Sequence, residues 1–245
     1  MVQTRARSRP CLIMRFGVQD AGGPGSSGQD AFSLERAQMV ERQIRRRGVS
    51  DLAVLGAMGE VPRHEFVAES LRSRAYDDGP LPIGGGQTIS QPYIVAAMTQ
   101  ALELAPTDRV LDIGTGCGYQ AALLSRIARI VYSVEVRQDL ATSAAERLAR
   151  LGYLNVHVHC GDGTLGLPQA APFDAILVAA AAPEVPEPLL AQLAPGRRLV
   201  LPVGGSDRQQ LKALRRSEAS LDTVELDSCQ FVPLIGRYGW RDTHS

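Results

Sequence analysis

The sequence lacks several features that would assign a function class directly. Its 26 basic and 26 acidic residues cancel to a formal net charge of zero, so a broad electrostatic surface for nucleic acid is not expected. No apolar run approaches the roughly 20 residues of a membrane span, and no membrane partner is expected. The four cysteines are widely spaced and form no CxxC pair. This spacing argues against a disulfide framework or structural zinc and predicts a reducing, cytoplasmic location.

One short run could be interpreted as a metal cluster, namely His157-Val-His-Cys160. On a β-strand the two histidines, His157 and His159, would share one face because side chains alternate with a period of two. Strand residues beside the core are the favoured interpretation. We therefore expect no metal.

The most informative run is R-V-L-D-I-G-T-G-C-G-Y at residues 109–119. Its apolar residues predict a short buried parallel strand, and the residues that follow predict a helix at 120–128. Three glycines separate the two at alternate positions, Gly114, Gly116 and Gly118. A strand, a glycine turn and a helix bring backbone N–H groups up to a ligand, where a Cβ would block the approach. A plain strand-to-helix turn is the alternative.

The residues around the glycines indicate which ligand this turn binds. Glu135 lies 21 residues after Gly114, about where a nucleotide-binding fold places an acid on the ribose hydroxyls. The dinucleotide fingerprint needs Gly or Ala at its sixth position, where this chain has Tyr119, so NAD is the second interpretation. The pattern Asp-x-Gly-x-Gly-x-Gly from Asp112 resembles motif I of class I S-adenosylmethionine-dependent methyltransferases. An acid there suits a cofactor with an ammonium and a sulfonium.

Strands and helices alternate through the second half of the chain, which predicts an α/β fold with a doubly wound, mostly parallel Rossmann-like sheet. The predicted parallel strands are residues 110–113, 131–136, 156–160, 173–179 and 198–203. Three further strands without intervening helices, at residues 211–215, 223–226 and 230–234, predict an antiparallel C-terminal edge.

The chain divides into an extension, one domain and a tail. A glycine- and serine-rich stretch at 22–28 predicts a disordered extension over residues 1–32. Residues 33–236 form the predicted methyltransferase domain, with a helical substrate/lid segment at 33–105 and the Rossmann-like core at 106–236, and a tail follows at 237–245. The segment begins with a helical preface at residues 33–67, whose first helix should end at Gly48 and whose second helix has Ser50 as its predicted cap.

Two polar residues have both a functional and a structural interpretation. Ser90 lies in a loop rich in glycine and proline, just before a predicted helix at 93–104, and Ser90 or Gln91 could simply cap that helix. A lone serine without a base is no nucleophile. Asp162 is placed to accept from an adenine amino group, but it could equally be a turn or cap residue beside Gly163.

Several separated stretches together resemble the protein-L-isoaspartate O-methyltransferase family across residues 39–234. The stretch most specific to that family is Gln87-Thr-Ile-Ser-Gln-Pro92, upstream of the glycine run. The other matching pieces are Val61-Pro-Arg63, Leu81-Pro-Ile-Gly84, residues 110–119, Gly161-Asp-Gly163, residues 179–183, Leu201-Pro-Val-Gly204 and Phe231-Val-Pro-Leu234.

The resemblance implies methylation of the free α-carboxyl of L-isoaspartyl residues in damaged proteins and peptides, with S-adenosylmethionine as cofactor. The methyl ester then closes to a succinimide, whose hydrolysis returns some normal aspartate. Ser90 matches the family's active-site serine. The implied cofactor-binding residues are Thr88, Ile89, Asp112, Gly114, Thr115, Gly116, Gly118, Glu135, Val136, Asp162 and Gly163. We expect a monomer.

The match has three departures, at Ala179, Thr164 and Cys117, where relatives often carry other residues. Two other hypotheses remain open beside the isoaspartyl enzyme. One is a class I methyltransferase acting on another carboxylate or a small molecule. The other is a non-catalytic module that binds the cofactor and recognises damaged chains.

Overall fold

The N-terminal part of the described chain is helical. This computed structural model describes residues 31–205, 207–217 and 220–241. Helix α1 (Ser33–Gln38) continues through a π-helical and a 3₁₀ turn as far as Arg47, and Gly48 ends it with a left-handed φ of 96°. The end at Gly48 is as predicted. Residues 1–30, which hold nearly all of the predicted extension, lie outside the described residues.

The second helix of the preface, α2 (Leu52–Glu60), is capped by a different residue from the one predicted. The Asp51 carboxylate accepts from the backbone N–H groups of Ala53 and Val54 at 2.8 and 3.1 Å. The prediction of Ser50 was wrong by one residue, because the cap is set by which side chain reaches the free N–H groups of the first turn.

A small hairpin lies where the sequence predicted only a loop. Strands β1 (Leu81–Gly84) and β2 (Gln87–Ile89) pair antiparallel. The glycines of the turn have positive φ, which lets four- and three-residue strands reverse within a few residues. Helix α3 (Pro92–Ala101) follows directly, with Pro92 in its first turn.

The central sheet of the described chain has seven strands in the order β5-β4-β3-β6-β7-β8-β9. These strands are β3 (Arg109–Ile113), β4 (Ile130–Glu135), β5 (Val156–Cys160), β6 (Phe173–Val178), β7 (Leu193–Gly204), β8 (Gln209–Arg216) and β9 (Leu221–Cys229). The helices between them are α4 (Tyr119–Ile127), α5 (Gln138–Arg150) and α6 (Glu187–Gln192). Strands β3 to β7 are parallel, and β8 and β9 are antiparallel to their neighbours. The predicted Rossmann-like sheet with an antiparallel edge is confirmed.

The strand order reverses between β3 and β6. The connections from β3 run outward through β4 to β5, and those after β6 run outward the other way. Ligands of open α/β sheets bind at such a switch point, beside the carboxyl ends of the strands. The glycine turn after β3 therefore lies where a ligand is expected.

The predicted strand at residues 230–234 is wrong, because β9 ends at Cys229. The Gln209 side chain takes both backbone groups of Phe231, accepting from its N–H at 2.6 Å and donating to its carbonyl at 3.0 Å. Ala181 then donates to the Val232 carbonyl and accepts from the Leu234 N–H, each at 2.8 Å, which makes one isolated bridge and not a strand. The segment crosses the carboxyl edge of the sheet as a loop.

The preface and the sheet share one hydrophobic core on the side of α4. Met39, Met58 and Phe66 of the preface are buried with Tyr119 and Leu123 of α4. The rings of Phe66 and Tyr119 meet edge to face at 5.4 Å. This packing fixes the preface, and the hairpin that follows it, against the start of α4.

Candidate active site

A cavity opens at the carboxyl ends of β3, β4 and β6. Nine of the predicted site residues line it, namely Thr88, Ile89, Ser90, Gly114, Thr115, Gly116, Glu135, Val136 and Gly163. The structure therefore brings residues from four separate stretches of the chain to one cavity. The other three, Asp112, Gly118 and Asp162, do not line the cavity, although each is within two residues of one that does.

The glycine turn has no room for side chains at its closest point. Gly116 has a φ of 52°, and a Cβ added there would lie 3.1 Å from the Ile83 Cδ1 of the hairpin. At Gly163 a Cβ would lie 2.5 Å from Ile113 Cγ2, which real side chains do not tolerate. Both glycines line the cavity, and at both positions neighbouring side chains of the protein take the place of a Cβ.

Glu135, at the end of β4, presents a buried carboxylate to the cavity. One oxygen accepts from the Gly116 N–H at 2.8 Å and the other from the Arg137 N–H at 3.0 Å. The two bonds fix the orientation of the carboxylate. Because a carboxylate has about four lone-pair sites, two remain for hydroxyl donors of a ligand.

Asp112 is fully buried behind the glycine turn. Its Oδ2 accepts from Ser133 Oγ at 2.7 Å, and the Ser133 and Thr115 hydroxyls lie 2.6 Å apart. Its Oδ1 has no hydrogen-bond partner among the described residues. Burial raises the pKa of Asp112 to about 7, against a lowering effect of the Ser133 bond and a smaller raising effect of Glu135. A cation bound nearby would favour the ionised form.

Asp162 is the N-cap of a short 3₁₀ helix, which agrees with its structural interpretation as a turn or cap residue. Its Oδ1 accepts from the Thr164 N–H at 2.9 Å and from the Thr164 hydroxyl at 2.6 Å. Its Oδ2 accepts from the Arg237 N–H at 2.8 Å. These bonds begin the 3₁₀ helix Gly163–Leu165 and hold the C-terminal segment against it. The adenine role of Asp162 stays a prediction.

Ser90 lies between β2 and α3, at the wall of the cavity. Of the two residues that could cap α3, Gln91 occupies the N-cap position, but no side chain bonds to the free N–H groups of the helix start. Ser90 is therefore not the cap. The Gln91 amide donates instead to Asp78 Oδ1 at 2.7 Å. In the described part of the chain, the Ser90 hydroxyl has no hydrogen-bond partner, while the Ser90 carbonyl accepts from Arg63 Nη2 at 2.7 Å.

A second cleft adjoins the main cavity at Ser90. The residues that line both are Thr88, Ser90, Ala179, Phe231 and Val232. Ser90 therefore stands at the junction between a glycine-lined cavity and an open cleft. This is the arrangement that transfer between two bound molecules requires.

Sequence reasoning missed the role of residues 231–235, which line the cavity as a loop. The sequence contained one signal against the predicted strand, because Pro233 is disfavoured inside a sheet. Trp240 anchors the segment further along by donating from its indole N–H to the Ala181 carbonyl at 2.9 Å.

The two histidines of the run His157-Val-His-Cys160 pack beside an aromatic ring and belong to no group of metal-ligating side chains in the described residues. The rings of His157 and His159 lie 5.6 and 6.2 Å from that of Tyr132. Across the described ranges, no group of three or more His, Cys, Asp or Glu residues could hold a metal ion. The helices within those ranges include none that is long and apolar enough to cross a membrane.

The fold and the site together define a class I methyltransferase. A Rossmann-like sheet carries a glycine turn after β3, an acid at the end of β4, and a cavity at the topological switch point. The family model of protein-L-isoaspartate(D-aspartate) O-methyltransferase matches residues 34–239. The chain belongs to this family.

Similar proteins come from several organisms. The protein-L-isoaspartate O-methyltransferase of Roseiflexus castenholzii is 58% identical over 87% of this chain and 97% of its own length. The corresponding protein of Methanoculleus marisnigri is 56% identical over 86% of this chain and 96% of its own. Both alignments span nearly the whole relative.

Two solved structures share the fold. A protein-L-isoaspartate O-methyltransferase is 32% identical with a TM-score of 0.76, covering 84% of this chain and 67% of that one. A putative protein-L-isoaspartate O-methyltransferase from Plasmodium falciparum is 26% identical with a TM-score of 0.72, covering 82% and 98%. The second was solved in complex with S-adenosyl-L-homocysteine.

Proposed function

We propose that this protein transfers a methyl group from S-adenosylmethionine to the free α-carboxyl of L-isoaspartyl residues in damaged proteins and peptides. The observation that carries the proposal is the junction at Ser90, where the glycine-lined cavity meets a second cleft. Family membership supplies the substrate class. Methylation starts the return of the residue to L-aspartyl through a succinimide.

The residues of the cavity fit the proposed cofactor. Gly116 and Gly163 line the cavity, and Glu135 retains lone pairs for two ribose hydroxyls. Asp112 does not line the cavity, but its buried, unpartnered Oδ1 would favour the ammonium of the methionine end from beneath the glycine turn. When bound, S-adenosylmethionine supplies a methyl group already activated on a sulfonium.

The adenine is proposed to lie against Gly163. Asp162 already accepts three hydrogen bonds and has one lone-pair site left for an amino group. Thr88 and Ile89 would border both the cofactor and the substrate, because β2 forms the wall beside Ser90. Gly118, with a φ of 90°, starts α4 and supports the turn from behind.

The acceptor needs no general base. An α-carboxyl has an ordinary pKa of roughly 3.5, so it is ionised at neutral pH and is already a nucleophile. The work of the protein is orientation, which can contribute roughly 7 kcal/mol or more to lowering a barrier. The Ser90 hydroxyl can donate one hydrogen bond to the carboxylate and fix its direction.

The decisive experiment is transfer of labelled methyl from S-adenosylmethionine to two matched peptides, one with L-isoaspartate and one with L-aspartate. We expect base-labile label on the isoaspartyl peptide alone. Label on neither, with the cofactor still bound, would reject the proposed substrate. The function would then be that of a methyltransferase for another acceptor or of a non-catalytic cofactor-binding module.

Ser90→Ala tests the assigned active-site residue. We expect a loss of about 10²-fold in kcat/KM, because misplacing the acceptor costs on this scale, with little change in cofactor affinity. Ser73→Ala is the matched control, since Ser73 is exposed on the 3₁₀ helix Glu69–Arg74. Equal turnover by the two variants would remove Ser90 from the mechanism.

We also propose a monomeric, cytoplasmic enzyme without nucleic-acid or membrane partners. The balanced charge of the sequence supports the absence of a nucleic-acid partner, and the free thiols at Cys117, Cys160 and Cys229 support a reducing compartment. Light scattering of the purified protein tests the monomer, and a dimer mass would reject it. Cell fractionation tests the location.

A further inference from the structure

Arg63 is a fully buried cation near the site. It begins the 3₁₀ helix Arg63–Phe66, has no exposed surface, and is the largest side chain buried to this degree in the described residues. Arginine is almost never buried completely unless it is paired with an acid. Within the described ranges no carboxylate lies at ion-pair distance from it, and burial lowers the pKa of its guanidinium. Burying a charge without a counter-ion is costly, so other interactions of Arg63 must compensate.

The contacts of Arg63 identify these interactions. Its Nε donates to the Ala75 carbonyl at 2.7 Å and its Nη2 to the Ser90 carbonyl at 2.7 Å. Its guanidinium carbon lies 4.9 Å from the centre of the Tyr119 ring. Tyr119 is the first residue of α4. The planar fork of one side chain thus joins the preface, the Ser90 loop and the helix after the glycine turn.

The carbonyl that Arg63 holds belongs to Ser90, which lines both the cavity and the adjoining cleft. The Ser90 hydroxyl has no hydrogen-bond partner within the described part of the chain, so its direction depends on the backbone that carries it. We infer that Arg63 is a positioning residue, which sets the Ser90 peptide so that the hydroxyl meets the substrate carboxylate. This inference rests on the proposed function and deepens it.

A double-mutant cycle tests whether Arg63 acts through Ser90. Arg63→Met is made in the wild type and in Ser90→Ala, and kcat for the isoaspartyl peptide is measured at saturating S-adenosylmethionine. We expect Arg63→Met to lower kcat by roughly 10- to 100-fold in the wild type, since small displacements of a positioned group cost this much. In Ser90→Ala the same change should cost about threefold or less, because the two residues act as one unit.

Cofactor affinity separates positioning from general damage. We expect the Kd for S-adenosylhomocysteine to stay within about threefold of wild type, since Arg63 does not line the cavity. Arg216→Met is the matched control, because Arg216 also donates to backbone carbonyls, those of Leu190 and Leu193, but away from the cavity. It should leave kcat unchanged.

Two results would overturn the inference. One is an equal loss from Arg63→Met in both backgrounds, and the other is a parallel loss of cofactor affinity. If Arg63→Met does not fold, the cycle is run with Arg63→Lys, which keeps the charge but places all its donors on a single nitrogen and so lacks the fork. A wild type that methylates no isoaspartyl peptide would reject the proposed function together with this inference. An active wild type with independent effects would reject the inference alone.

Discussion

Replacing Asp112 with Asn should remove a pH dependence of stability that comes from one buried carboxyl. Burial raises the pKa of Asp112 from its ordinary value of 3.8 to about 7. The folded protein therefore binds this proton more tightly than the unfolded chain does. Between about pH 4 and pH 7 the unfolded state holds fewer protons, so the free energy of unfolding falls as the pH rises.

The size of the effect follows from the two pKa values. Below about pH 3 the carboxyl is protonated in both states, and above about pH 8 the loss of stability is complete and constant. Integrating from pH 5 to pH 8 gives a loss of about 3 kcal/mol from this one group. Asn at the same position does not titrate, although its amide leaves a buried donor without a partner. That second cost is independent of pH and does not change the slope.

Urea unfolding at several pH values between 5 and 8 measures the difference. The free energy of unfolding of the wild type, minus that of Asp112→Asn, should fall by about 3 kcal/mol across this range. Asp222→Asn, which removes an exposed carboxylate from β9, controls for the loss of one charge. Parallel curves for the wild type and Asp112→Asn would refute the reasoning, because Asp112 would then not be an acid that is costly to ionise.

The same experiment with saturating S-adenosylhomocysteine tests what Asp112 faces. The ammonium of that ligand should favour the ionised carboxylate and lower its pKa, so the pH dependence should shrink. An unchanged dependence would place Asp112 away from the methionine end of the cofactor. The proposed role of Asp112 in cofactor binding would then be wrong.

Two further predictions concern the cofactor cavity. Glu135→Gln should weaken S-adenosylhomocysteine binding by about tenfold or more in calorimetry, because hydrogen bonds to a charged acceptor are replaced by weaker ones; an unchanged Kd would remove Glu135 from the ribose. Gly163→Ala should lower both the melting temperature and the cofactor affinity, because its Cβ would lie 2.5 Å from a β3 side chain. Gly161→Ala, where a Cβ meets nothing within 4 Å, should do neither, and equal effects would contradict the packing argument.

The sheet could be predicted because its signals are local. Runs of apolar residues set the parallel strands, and glycines with positive φ mark the turn after β3. The hairpin of β1 and β2 escaped prediction because its glycines look like loop residues until their pairing is known. The segment 231–234 failed for the opposite reason. Its pattern is typical of a strand, but the amide of Gln209 takes the hydrogen bonds that a neighbouring strand would need.

The sequence predicts which loops converge on the candidate site. It does not predict which polar atoms of those loops are already hydrogen-bonded within the protein. Nothing in the sequence shows that the Asp162 carboxylate is occupied by Thr164 and Arg237. Nor does the Val-Pro-Arg motif show that Arg63 is buried without an acid. Both depend on contacts between residues far apart in the chain, which a single sequence read by local pattern does not reveal.

The placement of Arg63 also agrees with the energetics of the proposed reaction. Methyl transfer from a sulfonium to a carboxylate neutralises two charges, so the transition state is less charged than the bound reactants. Groups that hold the carboxylate by a direct ion pair would stabilise the reactants more than the transition state and slow the reaction. Arg63 does not line the cavity and reaches the site through the Ser90 carbonyl. A hydroxyl at the surface with a cation behind it can therefore orient the nucleophile without neutralising it.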